Sequence, residues 1–288
     1  MSDVALNRGR LTAVGGASGD DKGARTRRLV ARLRSPVVLA PVIVLVIFLA
    51  LWQTGVLHGA FGLPTYNVPY PTTILDELDD NGPVIWKAVQ ASVPAAFLGY
   101  AVGMSLGFVI ATILVRVAPG TISTILPTLS ATNSLPIVAL APLIASFTGS
   151  GLLLKVIVVT VMTTPLMTVY AVRGLTSVEP TALELMRSIE ASRGQIFRTL
   201  RVPTALPFLF TALKSAVVLA LIGVIVSEAV RGFEGLGYVI IQAMGRWDAP
   251  RAWLALVAIA GTGISWYLIV QLLERVALPW EEASRRKA

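Results

Sequence analysis

Apolar residues along this chain come in six long runs, and charged residues collect in the gaps between them. The runs extend over about 36–52, 94–117, 122–147, 152–172, 207–230 and 252–273. A helix crossing the hydrocarbon of a bilayer needs roughly 20 mostly apolar residues. The pattern therefore predicts an all-α polytopic membrane protein with six transmembrane helices, and an even number of crossings returns both termini to one side.

Composition agrees. Hydrophobic residues make up 55% of the chain, charged residues 14%, and mean hydropathy is +0.75, whereas a soluble domain carries about 25% charged residues. Cysteine is absent and His58 is the only histidine. Disulfides, thiol nucleophiles, Ser-His-Asp triads and histidine-rich metal sites thus lack their raw material, and no catalytic or metal residues are assigned. The net charge of +8 does not point to nucleic acid, because the basic residues sit beside apolar runs and form no stacking platform with aromatics. They follow the positive-inside rule instead. Arg8, Arg10, Lys22, Arg25, Arg27, Arg28, Arg32 and Arg34 precede the first run, while the segment 54–93 sets only Lys87 against Asp76, Glu77, Asp79 and Asp80. Both termini are expected in the cytoplasm, with Arg116, the 173–201 segment and the tail bearing Arg275, Arg285, Arg286 and Lys287. Arg231, Arg246 and Arg251 run against the rule. The first apolar run is longer than the 7–15 residues of a signal-peptide core, so it reads as a retained anchor. The expected organisation is a basic tail over 1–35, a transmembrane domain over 36–273 with a cytoplasmic loop at 174–206, and a cytoplasmic tail over 274–288.

Within the runs, Gly99, Gly103 and Gly107 recur every fourth residue in "GYAVGMSLG". On one helical face they allow a second backbone to approach closely, either within the subunit or between subunits. Polar groups in lipid are costly unless they face protein or water. Asn133, Ser134, Thr163, Thr164 and Glu228 are therefore candidates for lining a solute pathway. The threonines, with Thr160, have an alternative in bonding to carbonyls one turn earlier. Lys155 and Glu228 fall near helix ends, where they can snorkel, and Glu228 can also look into a cavity.

The segment "ELMRSIEASRGQIFRTLRVPTALP", 184–207, is the exception to the greasy pattern. Leu183, Met186 and Ile189 recur at three-residue intervals, as do Phe197 and Leu200, with Arg187, Glu190, Arg193, Arg198 and Arg201 between them. Two short amphipathic helices are expected, with Gly194 as the break and Pro203 with Pro207 ending the second. Such a pair can lie on anionic lipid or dock in a protein groove. The mixture of Glu184 and Glu190 with the arginines favours a protein.

The spacing from Glu184 through position 190 to "LRVP" at Pro203 resembles the EAA loop of the integral membrane permeases of ABC importers, E-A-A, three residues, G, nine residues, I-x-L-P. "YPTTIL", "LPIVALAPLIASFTGSG", "SEAVRGFEGLGYVI" and "LLERVALPWEE" are similar to the branch that includes nitrate, sulfonate and taurine permeases and permeases for pyrimidine-type vitamin precursors. The resemblance covers roughly residues 36–282. It implies a type I importer permease fold in the plasma (inner) membrane, and a second permease subunit forming a homodimer. It also implies two cytoplasmic ATPase subunits that hold ATP and magnesium, and an extracytoplasmic binding protein that delivers the solute. The implied coupling residues are Glu184, Arg187, Glu190, Ala191, Ser192, Arg193, Gly194, Phe197 and Pro203, and the subunit itself carries no cofactor. Independently, none of Lys22, Lys87, Lys155, Lys214 or Lys287 stands in a phosphate-binding G-x-x-x-x-G-K-[ST] motif. The chain departs from the family pattern at Leu185 and Met186, in place of alanines, and at Glu190, in place of glycine. An ion-coupled secondary transporter would need ionisable groups near the midplane, and an intramembrane enzyme a paired nucleophile and base. Neither is visible in the runs.

Overall fold

A computed structural model describes residues 36–132 and 136–279. Every regular element among them is helical. The chain divides into two compact units between Pro64 and Thr65. The first holds α1 (Pro36–Gln53) and α2 (Val56–Phe61). α1 is apolar on all sides, as suits a helix surrounded by lipid. Gly55 and Gly62 bracket α2 in the left-handed region, at φ 78° and 63°.

The second unit opens with α3 (Pro71–Val117), 47 residues long. Pro71 stands at its first turn, where a missing N–H costs nothing. Pro94, expected to start a span, lies inside the helix instead. At 1.5 Å per residue α3 is roughly 70 Å long, more than twice the hydrocarbon thickness, so its acidic first half, with Asp76, Glu77, Asp79 and Asp80, extends past the apolar half. The expected third span is two helices, α4 (Ile122–Thr132) and α5 (Ile137–Thr148). Pro136, extended at φ −71° and ψ 96°, begins the second of them. Proline lacks an N–H and suits the start of a helix better than its interior, which fits Pro136 at the start of α5. α6 (Leu152–Thr176) follows, then α7 (Pro180–Ser188), α8 (Arg193–Ile196), a π turn (Phe197–Arg201), α9 (Val202–Arg231), α10 (Leu236–Gly245) and α11 (Ala249–Ala277). Among the described residues, four helical stretches are long and apolar enough to cross a membrane: α3, α6, the continuous stretch Arg193–Arg231, and α11. The helices spanning 39–53, 137–148 and 236–245 are apolar but shorter.

α3, α6 and α9 form the core, and small side chains let them approach. Ala96, Ala111, Ala171, Ala205, Ala212, Ala216 and Ala220 are fully buried in one cluster. Lipid tails give helices no hydrophobic reason to associate, so close contact through small residues supplies the attraction. Gly99, Gly103 and Gly107 lie where α3 meets α6 within this one chain. A Cβ on Gly99 would stand 2.6 Å from Val159 Cβ, and one on Gly107 would stand 2.6 Å from Thr164 O. α11 is held by Tyr100, whose ring meets Trp266 edge-on at 4.9 Å, and by the Lys214–Glu274 ion pair at 2.7 Å.

Candidate functional site

The 177–206 segment is built from capping chemistry. α7 starts at Pro180 after an extended Glu179. At its end, Glu190 N–H donates to Arg187 O at 3.0 Å and Ala191 N–H to Met186 O at 3.0 Å. This is the Schellman arrangement, and its pivotal residue must take a left-handed conformation, usually as glycine. Here Glu190 takes it, at φ 55°. The bend therefore falls at Glu190, the position where the family pattern has glycine, and not at Gly194 as expected. Ser192 then opens α8 with a capping box: Gln195 N–H donates to Ser192 Oγ, and Ser192 N–H donates to Gln195 Oε1 at 2.7 Å. Gly194 sits in the first turn of that helix, where a Cβ would meet only Ser192 Oγ, at 4.0 Å. The spacing Ser-x-x-Gln was a readable capping signal that the apolar periodicity overshadowed.

Nor do Pro203 and Pro207 end the second helix. It runs on through the π turn, in which Val202 N–H donates to Phe197 O, and into α9, with Pro203 in the first turn and Pro207 inside. Proline lacks an N–H and crowds the carbonyl four residues back. The wider π turn just before Pro203 makes room for that carbonyl.

The faces sort differently from the predicted stripe. Leu183 and Met186 are half-buried, whereas Leu185 on α7 and Ile189, which caps its end four residues later, are each 65% exposed. Glu184, Arg187 and Arg193 are exposed beside them, and Phe197 turns inward onto the helical core. Leu185, a departure from the family alanine, is thus the most prominent apolar group α7 offers, which periodicity alone did not reveal.

A left-handed glutamate costs roughly 1–2 kcal/mol, and glycine returns about half of that through its unfolded-state freedom. Glu190→Gly is therefore expected to slow amide hydrogen exchange over 186–195 slightly. Glu190→Val, with a β-branched side chain at positive φ, should speed it severalfold. Equal exchange in both variants would contradict the assigned bend.

A second constellation is buried. Glu228 of α9 is 1% exposed and Lys155 of α6 is 4% exposed, and Lys155 Nζ lies 2.9 Å from Glu228 Oε1. Ser92 Oγ on α3 donates to the same carboxylate at 2.8 Å and accepts Leu236 N–H at 2.9 Å. Gly237 N–H donates to Glu228 Oε2 at 3.0 Å. The start of α10, two residues of "EGLG", is thereby tied to three long helices. Gly235, at φ 102°, presses on the carboxylate so closely that a Cβ there would collide with it. Neither Lys155 nor Glu228 snorkels, and Glu228 faces this closed cluster rather than an open cavity.

The threonines are also engaged. Thr163 and Thr164 donate one turn back within α6, to Val159 O at 2.9 Å and Thr160 O at 2.7 Å. Thr160 and Thr168 donate across to α3, to Gly99 O at 3.1 Å and Gly107 O at 3.3 Å. Asn133 and Ser134 lie outside the described residues.

Comparison with known proteins places this geometry. The family described as "Binding-protein-dependent transport system inner membrane component" matches residues 103–277. The chain is 30% identical over 256 residues to the riboflavin transport system permease protein RibX of Chloroflexus aurantiacus, covering 88% of this chain and 94% of that one. It is 28% identical over 253 residues to the formylaminopyrimidine transport permease protein ThiX of Halalkalibacterium halodurans, covering 86% and 98%. Its fold is similar to that in a crystal structure of an amino acid ABC transporter with histidines, with a TM-score of 0.56, 18% identity, and coverage of 69% of this chain and 96% of that one.

Proposed function

Because the chain belongs to the family of binding-protein-dependent transport system inner membrane components, we propose that its 180–201 segment is the surface on which a separate ATPase subunit acts. The protein is a permease subunit of an ABC importer, a non-enzymatic component of the inner membrane that conducts a small solute. Membership implies ATPase and binding-protein partners.

In the proposed arrangement there are six crossings: α1, α3, the broken pair α4–α5, α6, the Arg193–Arg231 stretch and α11. The basic tails at 1–35 and 274–288 are cytoplasmic, and two copies pair in lipid around the solute pathway. Glu184, Arg187, Glu190, Ala191, Ser192, Arg193, Gly194, Phe197 and Pro203 belong to the coupling element, with distinct jobs. α7 makes the contact, Glu190 to Ser192 set its angle, and the helix from Arg193 carries the displacement into the membrane. Asn133 and Ser134, polar residues within the third apolar run, are proposed to line the pathway, since polar groups in lipid are costly unless they face protein or water. Thr163, Thr164 and Glu228 support that pathway by holding α6 and α9 in place.

The carrying observation is α7 itself, which holds no buried residue yet is capped at its end and shows Leu185 and Ile189 to solvent. Apolar anchors four residues apart are a recurring means by which an amphipathic helix docks in a protein groove. The Leu185→Glu, Ile189→Glu double variant is expected to lower copurification of the cognate ATPase by about tenfold or more, the equivalent of 1.4 kcal/mol, with the permease still folded. Undiminished copurification would remove α7 from the interface.

A further inference from the structure

Two arginines outside the face that α7 presents fasten the loop to the rest of the permease. Arg116, in the last turn of α3, places its guanidinium carbon 4.3 Å from the centroid of the Phe197 ring. Phe197 opens the π turn and packs on the helical core. At the other end of that turn, Arg201 Nη1 donates to Leu175 O at 3.0 Å, near the end of α6. Beside that contact, Gly174 of α6 sits so close to α9 that a Cβ there would stand 2.9 Å from Ala205 Cα.

These contacts divide the loop unevenly. Up to Glu190 it is α7, without a buried residue and joined to α8 through one left-handed residue. From Arg193 onward it is a continuous helix into α9, tied to the ends of both α3 and α6. A π turn is a poor place for an untethered load, because its widened backbone makes weaker hydrogen bonds and such turns gather at functional sites. Here each end of it is held by a cation. Hydrogen bonding fixes Arg201 to a carbonyl at a helix C-terminus, where positive charge is favoured. Arg116 has a different grip, since a cation over a ring face can slide without breaking.

From this arrangement we infer that Arg116 is a positioning residue for transport: its hold on Phe197 makes α3 move as one body with α6 and α9 when the loop is displaced. The inference rests on the reading of the loop as the ATPase-coupling element. Positive-inside topology accounts for a basic residue at position 116 but not for its seat over an aromatic ring of the coupling helix.

The test uses the permease–ATPase complex in nanodiscs of phosphatidylethanolamine and phosphatidylglycerol. The chain lacks cysteine, so two introduced ones can carry spin labels without a prior cysteine-free background. Ile113→Cys on α3 and Thr199→Cys on the π turn are both exposed. With Arg116 present, their distance distribution should be narrow and the same before and after trapping with ATP and vanadate. In Arg116→Ala the distribution should broaden, and its maximum should move by about 2 Å or more on trapping, the scale of helix shifts in switching proteins. Arg116→Lys, which keeps the cation, should restore the wild-type result, and Phe197→Leu, which keeps bulk but removes the ring face, should not. An unchanged distance in Arg116→Ala, with the ATPase bound and hydrolysing, would overturn the inference. Undiminished ATPase binding in the Leu185→Glu, Ile189→Glu double variant with Arg116 intact would instead overturn the assignment of the loop.

Discussion

Glu228→Leu is expected to lower the melting temperature of the detergent-solubilised permease by roughly 10 °C, or to prevent accumulation of folded protein. Removing one partner of a buried ion pair costs about 3–5 kcal/mol, because the remaining charge is left desolvated and alone. A protein of this size loses about 2–4 °C per kcal/mol. Here the loss spreads further, since the carboxylate also accepts from Ser92 and from Gly237 N–H, and Ser92 is turned so as to accept Leu236 N–H. Glu228→Gln keeps an acceptor for those donors but leaves Lys155 without a counter-charge, so its melting temperature should fall between the two. Lys155→Met in the Glu228→Leu background should recover part of the loss, the sign of a coupled pair. Tryptophan fluorescence reports all four melts without a label. If Glu228→Leu melts like the wild type, the cluster does not hold the helices together.

That cluster also shows where legibility in the sequence stops. Apolar run length located α6 and α11 to within a few residues, because each is a single lipid-length helix with polar residues at both ends. The same criterion cut α3 in half. The second and third turns of α3 are acidic, and a hydropathy reading cannot see a helix that continues past the hydrocarbon. It also joined α4 to α5, since their division into two helices leaves the apolar count unchanged. In the loop, the register of Glu184, residue 190 and Pro203 was legible. The bend was not, because Glu190 adopts a conformation that its side chain disfavours, and only the hydrogen bonds to Arg187 and Met186 disclose it. Lys155 and Glu228 each looked like a lone charge near a helix end. What makes them a pair is the packing of α6 against α9, with Ser92 arriving from 136 residues away. Tertiary pairing of this kind leaves no periodic trace.

The glycine pattern of α3 was legible, and it yields a prediction with an internal control on the same helix. Gly103→Ala is expected to destabilise by about 1–3 kcal/mol, as overpacking does, and Gly103→Leu by more. A Cβ at this position would collide with Thr163 Oγ1 and stand 3.1 Å from Thr160 O. Neither obstacle is the free end of a flexible side chain. Thr163 is β-branched, fully buried and committed to Val159 O, and the other is backbone, so α3 and α6 would have to separate. Separation stretches the Thr160 to Gly99 O and Thr168 to Gly107 O bonds on either side, which spreads a local clash along the seam. Gly82 lies on the same helix, where a Cβ would meet no atom of another helix. Gly82→Ala should be close to neutral, because the roughly 0.8–1 kcal/mol of helix propensity is offset by Pro83, which disfavours helical geometry in a preceding residue that carries a Cβ. A cost at Gly103 with little change at Gly82, read as melting temperatures, would assign that cost to close helix contact. An equal cost at both positions, or a neutral Gly103→Ala, would contradict it.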